Sequence, residues 1–180
     1  MVFVGDWMPL ERSAYLESSG RGRVIANLEC AFAEANVSSG KAYTSILSTH
    51  CFDNVSAVGA AVSLANNHVY DAGDVGFDFL AEELERRGVC FFGTRKNPYF
   101  QTVQGGSRIA VIGCLEPCRS RGKKIFRQED VVALIKKIRG DFDSVYVYPH
   151  WGKEGEYTCW PSPRQRELAK TWIDAGADGV

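Results

Sequence analysis

Four strand-length apolar runs each lead into residues able to hold a cation or move a proton. Val2-Phe3-Val4 leads into Gly5-Asp6, and Val24-Ile25-Ala26 into Asn27-Leu28-Glu29. Ser63-Leu64-Ala65 leads into Asn66-Asn67-His68, and Val145-Tyr146-Val147-Tyr148 into Pro149-His150-Trp151-Gly152. In open sheets whose strands alternate with helices, ligands gather beyond the carboxyl ends of the strands, so these residues are the ones to collect. Together they offer carboxylate, amide and imidazole groups. That mixed oxygen and nitrogen set suits Mn, Fe or Zn better than Ca or a thiolate-bound ion. Each stretch also has a plain reading. A Gly-Asp after a strand is most often a turn, Glu29 next to Cys30 suits an edge ion pair, and Asn residues cap helices and accept positive φ. Their recurrence in one chain favours chemistry, as does the finding of two of the three histidines among them. His50, the third, follows no strand and reads as a loop or helix-cap residue. The expectation is that Asp6, Glu29, Asn67, His68 and His150 converge at one edge of one sheet.

The elements that must hold these residues alternate along the chain. Met1–Val4, Arg23–Leu28, Val62–Ala65, Val89–Phe92 and Ser144–Tyr148 are apolar runs of strand length. From Asp74 to Arg87, Val75, Phe77, Phe79, Leu80 and Leu84 keep mostly helical spacing, with acidic residues early and Gly88 as the stop. Glu129–Arg139 and Ser162–Ala175 read as further helices; Ser162 suits an N-cap and Pro163 a first turn. Phe100–Val103 and Arg108–Gly113 flank Gly105-Gly106 as a hairpin. Alternation of this kind predicts an α/β fold with a largely parallel sheet, made mixed by the hairpin.

The 180 residues suit one domain, residues 1–180, able to bury its core without disulfides. Charged residues make up 24% and the net charge is -1, so no positive field exists to draw in nucleic acid or anionic lipid. Six cysteines are too few for a disulfide scaffold, and those in runs such as Val89-Cys90-Phe91 and Gly113-Cys114-Leu115 read as buried reduced thiols. Cys114 and Cys118 form a C-x-x-x-C pair without a second zinc-spaced pair. No basic leader precedes Met1–Val4 and no run of about 18 apolar residues occurs, so no membrane segment is expected in this chain. The expected compartment is the cytoplasm, with the cell envelope as the alternative through segments outside this chain. The first residues read as a strand and Ala175–Val180 as the approach to another, so the chain is expected to be the N-terminal part of a longer protein. The basic run from Arg119 to Lys124 reads as a solvated loop able to meet an anion.

Taken in order, these stretches resemble the CapA-like family of capsule and poly-γ-glutamate biosynthesis proteins, within the calcineurin-like metallophosphoesterase superfamily. Gly5-Asp6 with Met8, Asn27-Leu28-Glu29, Asn66-Asn67-His68 with Asp71 and Gly73, and His150-Trp151-Gly152 carry the resemblance. So do Pro163, Gln165, Leu168-Ala169 and Ile173-Asp174-Ala175-Gly176-Ala177-Asp178. It implies a four-layer α-β-β-α sandwich with mixed sheets, incomplete at the C-terminus, and a divalent metal (Mn, Fe or Zn) at the strand ends. By analogy Asp6, Glu29, Asn67 and His150 would be metal ligands, and His68 would serve catalysis at the leaving group, oriented by Asp71. The implied function is metal-assisted hydrolysis of a phosphoester in extracellular polymer synthesis, on an anionic polymer or phosphoester substrate. The alternative is a non-catalytic polymer-binding or accessory protein on the same fold. The sequence departs from the phosphoesterase Asp-x-His start, since Trp7-Met8 follows Asp6. Those four ligands are enough for one ion and too few for two. Glu154 or Glu156 stands for the Glu that the family carries after His-Trp-Gly. Oligomeric state is not legible.

Overall fold

Strand β2 (Val24–Leu28) follows β1 (Val2–Trp7) and is buried along its whole length. A strand buried on both faces needs a neighbour on each side and a layer above and below, and the computed structural model supplies all four. The structure describes residues 1–9, 24–33, 44–58, 60–116, 123–151 and 160–180. After β2 come two short strands, β3 (Ala31–Phe32) and β4 (Ile46–Leu47), which pair in parallel with each other, and helix α1 (Phe52–Val58). Strand β5 (Ala61–Ser63), helix α2 (Gly73–Arg86) and strand β6 (Phe91–Phe92) then form a βαβ unit. The first sheet runs β1-β2-β5-β6, all parallel.

Helix α2 shows why this crossover works. Gly76, Phe77, Leu80 and Leu84 form its buried stripe. It ends at Gly88, whose φ of 67° lets the Gly88 N–H reach Glu85 O and the Val89 N–H reach Leu84 O, closing the last turn.

The second sheet holds the hairpin of β7 (Tyr99–Gln104) and β8 (Ser107–Leu115), with β9 (Ser144–His150) parallel to β8. Helix α3 (Val131–Ile138) makes the β8–β9 crossover, and α4 (Pro163–Asp174) follows β9. Gly105 and Gly106 both have positive φ, as a two-residue hairpin turn requires.

Alternation along the strands sorts the interior into three apolar spaces. Val24, Ala26 and Leu28 pack with Phe52, Val55, Phe77, Leu80 and Leu84 of α1 and α2. The intervening Ile25 packs with Ala61 and Phe92 against Phe100, Ile109 and Val111 of the second sheet. On the far side of that sheet Ala110, Ile112 and Cys114 meet Val131, Ile135, Ile138 and Trp172 of α3 and α4. The order is helices, sheet, sheet, helices: an α/β sandwich. The single mixed sheet expected from element alternation is corrected to two facing sheets beside the small β3–β4 pair, because every second side chain of β2 and β8 needs its own apolar cover. Aromatic rings fill the seam between the sheets, with Phe92 and Phe100 centroids 6.2 Å apart and Phe3 at 5.8 Å from Tyr148.

Among the described residues no helix is long and apolar enough to cross a membrane. Cys30, Cys51 and Cys114 are free and buried, and burial pushes the Cys30 and Cys114 thiols up. Cys90, expected in the interior from its apolar neighbours, is exposed, because the strand there begins one residue later at Phe91. Cys118, Cys159, Glu154, Glu156 and the basic residues 119–122 lie outside the described residues.

Candidate metal centre

Asp6 lies within β1 rather than after it, and the parallel register sets it opposite Asn27 on β2. The Glu29 N–H donates to Trp7 O at 3.1 Å and extends the pairing past the end of β2. Strand periodicity puts Asn27 and Glu29 on the same side as each other. From the facing sheet, β9 ends on His150. Its Nδ1 is 3.3 Å from Asp6 Oδ1, and its Nε2 is 3.6 Å from Glu29 Oε1 and 2.7 Å from Asn67 Oδ1. Asp6, Glu29, Asn67 and His150 therefore meet. They do so across the edges of two facing sheets, which corrects the expectation of one edge of one sheet: β9 pairs with β8, and side chains alone join it to β1, through the aromatic seam, the Tyr148 hydroxyl on Val4 O and His150 on Asp6.

Asp6, Glu29 and His150 each offer one ligand atom, and these atoms lie within 4.8 Å of one another. Bonds of about 2.0–2.2 Å to N and O place opposite ligands at most about 4.4 Å apart. Contraction by a few tenths of an ångström would close the triad on an ion, so the residues present fit a divalent cation of the Mn, Fe or Zn type. The two carboxyls feel each other. Burial pushes Asp6 up, but contacts with His150 and Asn27 and the charge an imidazolium carries outweigh it and hold Asp6 at about 2. Glu29 is raised, first by burial and then by the negative charge of Asp6. A half-buried pair of this kind gains from a positive partner.

His68 stands beside this group. It is buried, its Nδ1 is 2.7 Å from Asp71 Oδ2, and it is close enough for an imidazolium charge to act on Glu29. Asp71 is fully buried and also accepts the Ser45 N–H at 2.7 Å. Gly93 shapes the loop that carries Asn67 and His68. Its φ is 83°, and a Cβ there would sit 2.8 Å from Ala65 Cβ and 3.0 Å from Ser63 Oγ. The chain after β6 thus passes too close to the end of β5 for any side chain. His50 lies apart from the centre, bonded to Ser48 Oγ at 2.7 Å.

The described residues 6–9, 24–33, 44–58, 60–116, 123–151 and 160–180 all fall within one family match. A profile of the family described as "Bacterial capsule synthesis protein PGA_cap" matches residues 6–180. The chain belongs to that family. Over 137 residues it is 32% identical to "Capsule biosynthesis protein CapA" of Bacillus anthracis, covering 65% of this chain and 32% of that protein. It is 30% identical over 129 residues to "PGA biosynthesis protein CapA" of Bacillus subtilis strain 168, covering 63% of this chain and 33% of that protein. The matched stretch is thus about a third of the length of these CapA relatives. The crystal structure of a hypothetical protein from Thermus thermophilus superposes over 99% of this chain and 66% of its own, with a TM-score of 0.58 and 18% identity. That likeness is one of fold.

Two residues of the PGA_cap centre escaped assignment from sequence. Asn27 donates through Nδ2 to Asp6 Oδ1 at 2.6 Å, and the same nitrogen is 3.0 Å from His150 Nδ1. Asn66 is fully buried and joins Asn27 to the loop carrying His68. For Asn27 the available signal was its spacing of two from Glu29, which puts both on one side of a strand. For Asn66, a doubled Asn before a His reads equally as turn chemistry.

Proposed function

We propose that this chain acts in the synthesis of a capsule or poly-γ-glutamate polymer, as a metallophosphoesterase-like unit that hydrolyses a phosphoester with the aid of one divalent cation. The observation that supports the reading is the meeting of Asp6, Glu29 and His150, drawn from two sheets, within 4.8 Å. The polymer comes from the names of the Bacillus relatives. In this reading Asp6, Glu29 and His150 hold the ion and the Asn67 amide lies against them. Such an ion, when bound, lowers the pKa of its water from about 15.7 towards about 7 and draws charge from phosphoryl oxygens. His68, oriented by Asp71, steadies the leaving oxygen, a role typically worth about 10²–10⁴-fold. The substrate class is an anionic polymer or a phosphoester, and nucleic acid is not a partner. The free buried thiols support a reducing, cytoplasm-like setting for this part of the chain.

One observation favours a second reading. Asp6, Glu29 and His150 are the one group of three or more His, Cys, Asp or Glu with metal-holding geometry among the described residues. One three-ligand site supplies no second ion to clamp both oxygens of an in-line displacement, and its open positions can hold a polymer anion instead of an attacking water. Elemental analysis beside a bis(p-nitrophenyl) phosphate assay separates the readings. One ion per chain is expected in wild type, with Asp6→Asn and His150→Ala each lowering the metal content. His68→Ala is expected to keep the metal and lose turnover. Metal content unchanged by Asp6→Asn and His150→Ala would overturn the site. Bound metal with no turnover in wild type favours the accessory, polymer-binding protein.

A further inference from the structure

The hydrogen bonds of Asn66 have directions that can be worked out from the backbone inward. Asn66 Oδ1 receives the N–H of His68 at 3.0 Å and the N–H of Val69 at 2.8 Å. A backbone N–H only donates, so this end of the amide is the carbonyl and cannot be exchanged with the NH2. Asn66 Nδ2 faces Leu28 O at 2.8 Å, which only accepts, and Asn27 Oδ1 at 3.2 Å. Asn27 is thereby made to turn its carbonyl to Asn66 and its NH2 to the centre, where Nδ2 meets Asp6 Oδ1 at 2.6 Å and His150 Nδ1 at 3.0 Å. His150 Nδ1 also lies 3.3 Å from Asp6 Oδ1, but that oxygen is already served by the Asn27 N–H at 2.6 Å, and the shorter 3.0 Å contact with the Asn27 NH2 makes Nδ1 an acceptor. The neutral imidazole of His150 therefore carries its lone pair on Nδ1 and its proton on Nε2, which donates to Asn67 Oδ1 at 2.7 Å.

We propose that Asn66 and Asn27 are positioning residues that decide which nitrogen of His150 carries the proton. Direction passes from the backbone of His68 and Val69 through two side-chain amides to a ring on the opposite sheet. Both hydrogens of each Asn NH2 and each carbonyl are engaged, so neither amide can turn alone without facing like against like. The result is that the lone pair of His150 stands on the Asp6 side of the ring, where a cation held jointly with Asp6 would take the place of the Asn27 N–H, while Nε2–H is tied to Asn67. In this arrangement Asn67 is the outer partner of His150, and its oxygen is already occupied by that proton. The neutral relay also leaves the Asn27 amide as the donor to Asp6 when the imidazole is uncharged. The use of the relay for a cation rests on the proposed function; the relay itself does not.

The test uses metal-free full chain with ¹⁵N-labelled histidine at about pH 8, above the ordinary imidazole pKa of about 6.5. Long-range ¹H–¹⁵N correlation spectra tell the two tautomers apart, and with three histidines in the chain, His50→Gln and His150→Gln suffice to assign them. Wild type is expected to show His150 in the Nε2–H form. Asn66→Asp keeps the shape and the acceptor for His68 and Val69 but has no N–H to give Asn27. In that variant the Asn27 amide is expected to turn and His150 to change to the Nδ1–H form. Wild type in the Nδ1–H form, or Asn66→Asp that folds and keeps Nε2–H, overturns the relay; the wild-type arm needs no variant to fold. A separate Zn²⁺ titration of wild type keeps the two ideas apart. The Nε2–H form without Zn²⁺ binding supports the relay and overturns the cation reading, and Zn²⁺ binding by a protein in the Nδ1–H form does the reverse.

Discussion

Asp71 serves two donors with one oxygen, His68 Nδ1 and the Ser45 N–H, each at 2.7 Å. Asp71→Ala strips both of a buried acceptor, which costs about 1–3 kcal/mol for the unmet group. A lower urea midpoint at unchanged slope is expected, with cation content intact, since the two donors that lose their acceptor, His68 and the Ser45 N–H, do not hold the ion in the proposed function. A second residue-level prediction concerns pH. Burial raises the Tyr70 phenol to about 12, against the pull of the Lys124 N–H that it accepts, and Asp74 and Asp78 add to the rise. A raised phenol contributes stability that is fully present below its ordinary value of about 10 and is lost as pH rises towards about 12. Phenolate absorbance titration should show a late step near pH 12 that disappears in Tyr70→Phe. Tyr148, whose hydroxyl donates to Val4 O, is pushed up by burial as well and should also titrate late. At this scale Asp6, Glu29, Asn67 and His150 were legible because carboxylates, amides and imidazoles stand out after apolar runs. Asn27 and Asn66 were not, because what they contribute is the direction of a hydrogen bond, and residue type does not state direction.

Helix α4 opens with a reciprocal cap: Ser162 Oγ accepts the Gln165 N–H at 3.2 Å, and Gln165 Oε1 accepts the Ser162 N–H at 2.7 Å. Ser162→Ala is expected to cost about 1 kcal/mol. In a chain of this size that lowers the melting temperature by about 2–4 °C, as calorimetry would read it. Gly93→Ala is a harsher change. It sets an L side chain at positive φ, worth about 1–2 kcal/mol, and drives a methyl into Ala65. Since Ala65 leads directly into Asn66, Asn67 and His68, this variant should lose cation affinity as well as stability, whereas Ser162→Ala should lose stability alone. Isothermal titration with Mn²⁺ or Zn²⁺ separates them. The long elements were legible: α2 from its stripe and Gly88, α4 from Ser162 and Pro163, and the hairpin from Gly105-Gly106. The short ones were not. β3 and β4 have two residues each, and α1 has seven, too few for any period to repeat.

Three apolar spaces hold the four layers, and the middle one carries the site. Phe92, fully buried, lies in it with Phe100 and Tyr148 as ring neighbours. Gly113 of β8 packs against that ring, where an added Cβ would come within 2.9 Å of it. Phe92→Ala is expected to cost about 3–5 kcal/mol, a large share of the roughly 5–15 kcal/mol that holds a typical domain together. Cation affinity should fall with it, because the spacing of β9 from β1 is set there. Two sheets rather than one were legible only through family resemblance. Strand patterns show that a face is apolar, and they do not show what covers it. The contact between Asp6 and His150 spans 144 positions of chain. Residues so distant are expected to come together late, after β8 and β9 have paired and the seam has closed, since loop closure must precede any reward from the contact. A bound ion would then act as a latch on the finished molecule. It would leave the refolding rate nearly unchanged and slow escape from the native state, so that its whole stabilising effect appears in the unfolding arm of a stopped-flow chevron.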